Sequence, residues 1–178
     1  MIPIILAVYP SGLISDSILE RRTLRPNFPP HFLMSMTNKI GNFNVLAKIG
    51  EGAESHIYAV QDQKTKQVWA LKYVVREEDK DARFIEQVER EYEIGSKFDH
   101  PSIRSIIKLI RHRKLFKTTS VSLIMELVDA VSLDQRLPND AIGAVKLFRQ
   151  VAEGLLHMHG RGYVHADIKP TNVLVTEK

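Results

Sequence analysis

Residues 165–172 read HADIKPTN, which sets an acid (Asp167), a base (Lys169) and an amide (Asn172) within eight positions, with Pro170 between the last two. That density of polar groups looks like a site rather than a connector, and the chemistry open to it is acid–base and charge-neutralising. Two other stretches invite the same question. IGEGAESHIYAV (49–60) places two glycines between strand-like runs. Glycine lets backbone N–H groups come close to phosphate oxygens, and flanking strands would hold the turn over a nucleotide. A glycine-bearing hairpin is also the commonest way to make a plain hairpin. WALK (69–72) ends an apolar run in a lysine, which suits pairing with a phosphate or with a carboxylate such as Glu91. The plainer alternative is a lysine whose stem lies along a sheet with its head in water.

These residues need elements to position them. FNVLAKI (43–49), HIYAV (56–60) and QVWALKYVV (67–75) are rich in β-branched and aromatic residues, with polar QDQKTK (61–66) between the last two. They predict an antiparallel strand meander. Over 81–98 the spacing becomes helical: Phe84, Ile85, Val88 and Tyr92 fall on one stripe, with Glu86, Glu89 and Glu93 on the far side. Glu91 lies at the flank of the apolar face, where a carboxylate needs a partner. A lysine on the adjacent sheet would serve. Two more strands are expected at roughly 104–116 and 120–128, then a polar connection, DAVSLDQRL. Asn139 or Asp140 can cap a helix from Ala141 to His159, with Val145, Phe148, Val151 (or Ala152) and Leu155 on its buried stripe. Gly160 and Gly162 end it. YVHADIKPTNVLV then reads as a short strand, a polar loop and another strand. His157, His159 and His165 have metal-like spacing, but residues two apart on a helix point to different faces. Ordinary helix-end histidines are the expectation.

Composition narrows the classes. The chain has 178 residues, 44% of them apolar and 26% charged, which fits one ordinary domain or two small lobes. No run of eighteen or more apolar residues is present, so no membrane span is expected. There are no cysteines. That excludes a disulfide scaffold and cysteine-based zinc sites, and fits a reducing, cytoplasmic setting. The net charge of +4 is local: RSIIKLIRHRKLFK (104–117) carries six Lys or Arg and no acid, leaving −2 for the remainder. A nucleic-acid or acidic-partner patch has this composition. The alternation with Ile, Leu and Phe favours a solvated strand-and-turn face, so nucleic acid is not the expected partner. Residues 1–40 differ from the rest. Five of the eight prolines (Pro3, Pro10, Pro26, Pro29 and Pro30) lie there, and sustained periodicity is lacking. The opening MIPIILAVYP has no basic stretch before it and makes a poor signal peptide. A flexible extension is expected, with Met36 as an alternative start.

In this order and spacing, the glycine stretch, the strand lysine, the helix glutamate, the connector after LIMEL and HADIKPTN resemble the eukaryotic-type protein kinase family, from about Asn42 to the last residue. The resemblance implies an α+β, protein-kinase-like fold. Residues 41–128 would form an antiparallel β lobe with one helix, and 129–178 the first part of a helical lobe. It implies ATP and Mg²⁺ as cofactors and a protein substrate with serine or threonine. Position by position, Gly50 and Gly52 match the first two glycines over the ATP phosphates, and Ser55 stands at the third. Ile49 and Ile57 match the apolar residues that cover the adenine, and Ala70 the small residue that leaves it room. Lys72 matches the lysine that holds the α- and β-phosphates, and Glu91 its partner. Met125 matches the residue gating the back of the pocket. Glu126 and Val128 match the backbone positions that bond the adenine edge, and Leu174 its floor. Asp167 matches the residue that accepts the substrate hydroxyl proton, Lys169 the lysine steadying the γ-phosphate, Asn172 a Mg²⁺ ligand and His165 a structural histidine.

The pattern is departed from in places. Ser55 replaces a glycine, Glu54 brings a negative charge near the loop tip, and Ala166 replaces the arginine usual between His165 and Asp167. In the family that arginine clamps a phosphorylated activation segment, so no such switch is expected. The family's Asp-Phe-Gly segment does not occur among these residues. The reading is therefore the front part of a kinase, with little transfer expected from it alone and a partner expected over the apolar stripe of the helix from Ala141. The rival reading is a non-catalytic nucleotide-binding or protein-interaction module.

Overall fold

The computed structural model describes residues 5–9, 39–52, 54–76 and 82–176. Two compact units divide them. The first unit is built on a six-stranded sheet. Its strands are β2 (Lys39–Ile40), β3 (Phe43–Gly52), β4 (Ser55–Asp62), β5 (Val68–Val75), β6 (Ile106–Lys114) and β7 (Lys117–Met125). Their order is β2-β3-β4-β5-β7-β6, with every pair antiparallel. The expected meander is present; β3 and β4 run further than their apolar runs suggest, while β5 starts one residue later than expected. Side chains alternate along a strand, so β5 sorts its residues to two faces. Ala70 and Val74 pack with Ile85, Val88, Val121 and Leu123 against α1 (Ala82–Gly95). Leu71 joins Phe43, Val60 and Ile124 on the other face. The turn after β4 is tied by Asp62, whose carboxylate accepts from the Lys64 and Thr65 N–H groups at 2.8 and 2.9 Å. The same bonds to Thr65 and Lys64 lower the pKa of Asp62.

The second unit takes in β1 (Leu6–Val8), residues 94–105, β8 (Ala130–Ser132), α2 (Ala141–His159) and β9 (Val173–Thr176). β9 is central in a mixed three-stranded sheet, parallel to β1 and antiparallel to β8. α2 begins at Asp140, whose carboxylate accepts from the Gly143 N–H at 2.6 Å, so Asp140 and not Asn139 is the cap. It ends at Gly160, and Gly162, with φ +78°, takes the left-handed conformation that glycine tolerates.

Several expectations are corrected here. Within the extension, Leu6–Val8 is not loose chain but a strand buried to 0–1% exposure; residues 1–4 and 10–38, with the proposed start at Met36, lie outside the described residues. The buried side of α2 is Leu147, Gln150, Val151, Gly154 and Met158. Val145 and Phe148, expected inside, are 69% and 59% exposed. The run before HADIKPTN is irregular rather than a strand, since among the described residues no strand pairs with 163–165. The polar connection DAVSLDQRL contains β8, a short strand that its composition hid.

Candidate functional site

The sheet register brings the first group of candidates onto shared rungs. Gly50 pairs with Ile57, Ile57 with Lys72, and Lys72 with Leu123. Ala59 pairs with Ala70 and Ala70 with Met125 on another rung. Residues directly opposite one another across strands share a face. Ile57, Ala70, Lys72 and Met125 therefore point to the same side of the sheet, the side that α1 covers in part. β3 shifts register between Val45 and Ala47 and again between Lys48 and Gly50. Such bulges bend a strand and raise its twist, and this one lies where the glycine stretch begins. Ile49 stands 42% exposed beside it. At the turn Gly52 pairs with Ser55, and a β-carbon on Gly52 would lie 2.9 Å from the Ser55 hydroxyl oxygen, so a side chain there would require that hydroxyl to turn away.

The turn has a brace that sequence reasoning missed. The Glu51 carboxylate lies 2.9 Å from Lys48 Nζ and 3.4 Å from His56 Nδ1. The Lys48 ammonium bonded to it holds its carboxyl below the ordinary carboxylate value. The available signal was the acid three residues after Lys48, together with His56 across the turn.

Lys72 and Glu91 form the central contact of this unit. Lys72 Nζ donates to Glu91 Oε2 at 2.6 Å, with the side chains 13% and 4% exposed. A buried carboxylate is costly unless a cation meets it. The helical spacing that puts Ile85 and Val88 into the core also carries Glu91 inward, and β5 supplies the lysine from the facing sheet. This is the pairing expected from the sequence.

In the second unit the loop 165–172 is tied to itself. The Asp167 N–H donates to His165 Nδ1 at 3.3 Å, and His165 is 3% exposed, a structural placement. Asn172 Nδ2 donates to the Asp167 backbone oxygen at 2.9 Å and to its Oδ2 at 3.1 Å. Lys169 Nζ lies 3.0 Å from the same Oδ2. A turn of 3₁₀ helix, Pro170–Asn172, closes the loop, with the Asn172 N–H bonded to the Lys169 carbonyl. Hydrogen bonding from Lys169, then from Asn172, lowers the pKa of Asp167. The carboxylate thus remains ionised at neutral pH and is held in one orientation, the state required of a group that receives and aims a donor. Ala166, just before it, has φ +57°.

The remaining candidates have simpler placements. Met125 is the buried last residue of β7, with Glu126 following it, both in the first unit. Val128 belongs to the second unit, as does Leu174, which sits in β9 between Ala7 and Ser132. Asp167 and Asn172 are oxygen donors of the kind hard cations take. Asn172 spends its Nδ2 on Asp167, which turns its Oδ1 the other way. Among the described residues, no group of three or more His, Asp or Glu gathers at metal distance. His157 stacks near His100, ring centroids 4.8 Å apart, and shares a contact with Arg161 Nη1 at 3.1 Å. Burial, then the Arg161 charge, lowers its pKa. A cavity of about 610 Å³ in the second unit is lined by Val8, Leu137, Leu147, Gln150 and Val175 among others, and includes none of the candidates.

Comparison with known proteins meets this geometry. A family model described as the protein kinase domain matches residues 43–178. A probable myosin light chain kinase of Dictyostelium discoideum is 33% identical over 140 residues, covering 76% of this chain and 42% of the relative. An Aurora kinase of Candida glabrata is 30% identical over 176 residues, 96% of this chain and 46% of the relative. The calcium/calmodulin-dependent protein kinase type IV of Mus musculus is 31% identical over 159 residues, 83% of this chain and 31% of the relative. The chain spans less than half the length of these curated relatives.

Proposed function

The chain belongs to the protein kinase family, and from that premise we propose that the protein carrying these residues transfers the γ-phosphoryl group of ATP to serine or threonine hydroxyls of a protein substrate. The observation that carries the proposal is the buried Lys72–Glu91 pair at 2.6 Å, on the rung it shares with Gly50 and Ile57. Glu91 holds the ammonium at a fixed point, and Lys72 offers its remaining N–H donors to phosphate oxygens. Ala70 leaves room beside it for the base, and Ile49 and Ile57 offer apolar cover. Mg²⁺, when bound, would neutralise charge on the phosphates, and Asn172 Oδ1 with Asp167 suits that ion's preference for oxygen.

Asp167 receives the substrate hydroxyl proton and orients the oxygen. Its lowered pKa makes it a weak base, so orientation is the larger part of its role. Lys169, 3.0 Å away, adds positive charge where the phosphoryl oxygens gather. The spacing Asp167-x-Lys169 supports serine or threonine rather than tyrosine as the acceptor, by resemblance to the family.

The test is transfer from γ-labelled ATP with Mg²⁺ to a mixed serine/threonine substrate, using the protein carrying these residues and its Asp167→Asn variant, with nucleotide binding measured in parallel. Loss of transfer by roughly 10²–10⁴-fold with binding retained is expected. Transfer equal in both proteins would overturn the assignment of Asp167. Binding without transfer in the wild type would favour the non-catalytic nucleotide-binding module.

A further inference from the structure

The turn between β6 and β7 carries the most exposed large apolar side chains among the described residues, and phosphoryl transfer makes no use of them. Leu115 and Phe116 form this turn, between Lys114 and Lys117, and are 90% and 101% exposed. A tight turn joining antiparallel strands ordinarily takes glycine or short polar residues. Leu115 also has φ +56°, the left-handed conformation that a β-carbon disfavours and that glycine or asparagine fills in such turns. Neither the backbone at this position nor packing therefore accounts for a leucine beside a phenylalanine here.

Positive charge surrounds the apolar pair. From Ile106 to Met125 the hairpin has five Lys or Arg (Lys108, Arg111, Arg113, Lys114 and Lys117) and no Asp or Glu. Arg111 is answered by Glu89 of α1. The cations nearest the tip are Arg113, Lys114 and Lys117, each exposed. Lys114 and Lys117 stand directly opposite one another on the last rung before the turn. Like charges so placed repel, and an anionic surface laid against the tip would relieve that repulsion.

An aliphatic and an aromatic side chain standing in water, flanked by cations, are complementary to an anionic phospholipid surface. Apolar groups enter the boundary of the acyl chains while the cations stay among the headgroups. Nucleic acid would use the same cations and could stack a base on Phe116, but it leaves Leu115 without a function. We propose that the β6–β7 hairpin is a membrane-surface contact, in which Leu115 and Phe116 insert among anionic phospholipids and Arg113, Lys114 and Lys117 meet their headgroups. This is attachment to a surface and not a span. The proposal stands on the exposure and charge of one hairpin and does not depend on the phosphoryl-transfer reading.

Co-sedimentation of the protein carrying these residues with vesicles tests it, using phosphatidylcholine alone and phosphatidylcholine with about a quarter phosphatidylserine. Binding to the anionic vesicles is expected, about tenfold or more tighter than to the neutral ones, and weakening as salt is raised. Leu115→Gly/Phe116→Ser supplies residues that the turn favours, so it keeps the fold, and should weaken binding about tenfold or more. Lys114→Gln/Lys117→Gln should weaken it by roughly tenfold as well. Thermal unfolding recorded for each variant shows that the hairpin's sheet is intact. Wild type that stays in solution in the presence of anionic vesicles would overturn the proposal, as would undiminished binding by Leu115→Gly/Phe116→Ser. Binding to a duplex oligonucleotide that this variant retains, with no binding of the wild type to vesicles, would overturn it in favour of nucleic acid.

Discussion

Ala166 shows how local geometry at the loop exceeds what residue type alone discloses. Its φ of +57° is a conformation that a β-carbon disfavours, and it immediately precedes Asp167. Strain of this kind persists only where surrounding contacts fix the backbone, and here the Asp167, Asn172 and Lys169 bonds do so. Ala166→Gly should raise thermal stability by roughly 0.5–1 kcal/mol, and Ala166→Val should lower it by more than that. Chemical denaturation of the two variants checks the pair, and equal effects of the same sign would contradict the strained loop. The Lys72–Glu91 and Asp167–Asn172 contacts were legible because spacing carries them: Lys72 ending an apolar strand, Glu91 at the flank of a helical stripe, Asp167 and Asn172 within one short loop. The left-handed turn at Ala166 was not, since alanine gives no signal of positive φ. Gln150 was also passed over, although a polar residue among the apolar periodicity of α2 was the available sign.

At the scale of elements, the two helices differ in how plainly they read. α1 has a single apolar stripe, so Ile85 and Val88 could be placed from the sequence, and both are buried. α2 has apolar residues on two sides. One set, Leu147, Val151 and Met158, packs in the core, while Ile142, Val145 and Leu156 are 68%, 69% and 73% exposed. Periodicity finds such a helix but cannot tell which side meets the core, because that depends on β1 and β9, which come from distant sequence. The strands were legible from β-branched and aromatic runs, whereas their register, which aligns Gly50, Ile57 and Lys72, arises from bulges that composition does not mark. The β6–β7 hairpin carries a pH dependence. His112 sits beside Ser122 Oγ at 2.9 Å, and burial lowers its pKa from the usual 6.5. A histidine whose folded pKa is lowered takes up its proton more readily when unfolded. The favourable difference is full above 6.5 and is lost as pH falls through the folded value. Unfolding of the first unit should therefore become easier as pH falls below 6.5, and His112→Gln should flatten that slope. An unchanged slope in the variant would assign the dependence to other groups.

For the whole molecule, membership of the protein kinase family and the buried Lys72–Glu91 pair are what support the central proposal, that ATP with Mg²⁺ is held through Lys72. Among the described residues no helix is long and apolar enough to cross a membrane. Burial of the pair gives a way to separate its structural from its functional contribution. Removing the lysine alone strands a carboxylate that is 4% exposed, which should cost about 3 kcal/mol of stability. Replacing both members with apolar residues removes the stranded charge and should restore most of that loss. The most direct measurement is calorimetric titration of ATP–Mg²⁺ into wild type, Lys72→Met and Lys72→Met/Glu91→Leu, with thermal unfolding of each recorded alongside. Saturable binding by the wild type is predicted, weakened at least tenfold in both variants, although the double variant regains stability that the single one loses. Equal ATP–Mg²⁺ affinity in all three proteins, or no binding by a folded wild type, would contradict the account.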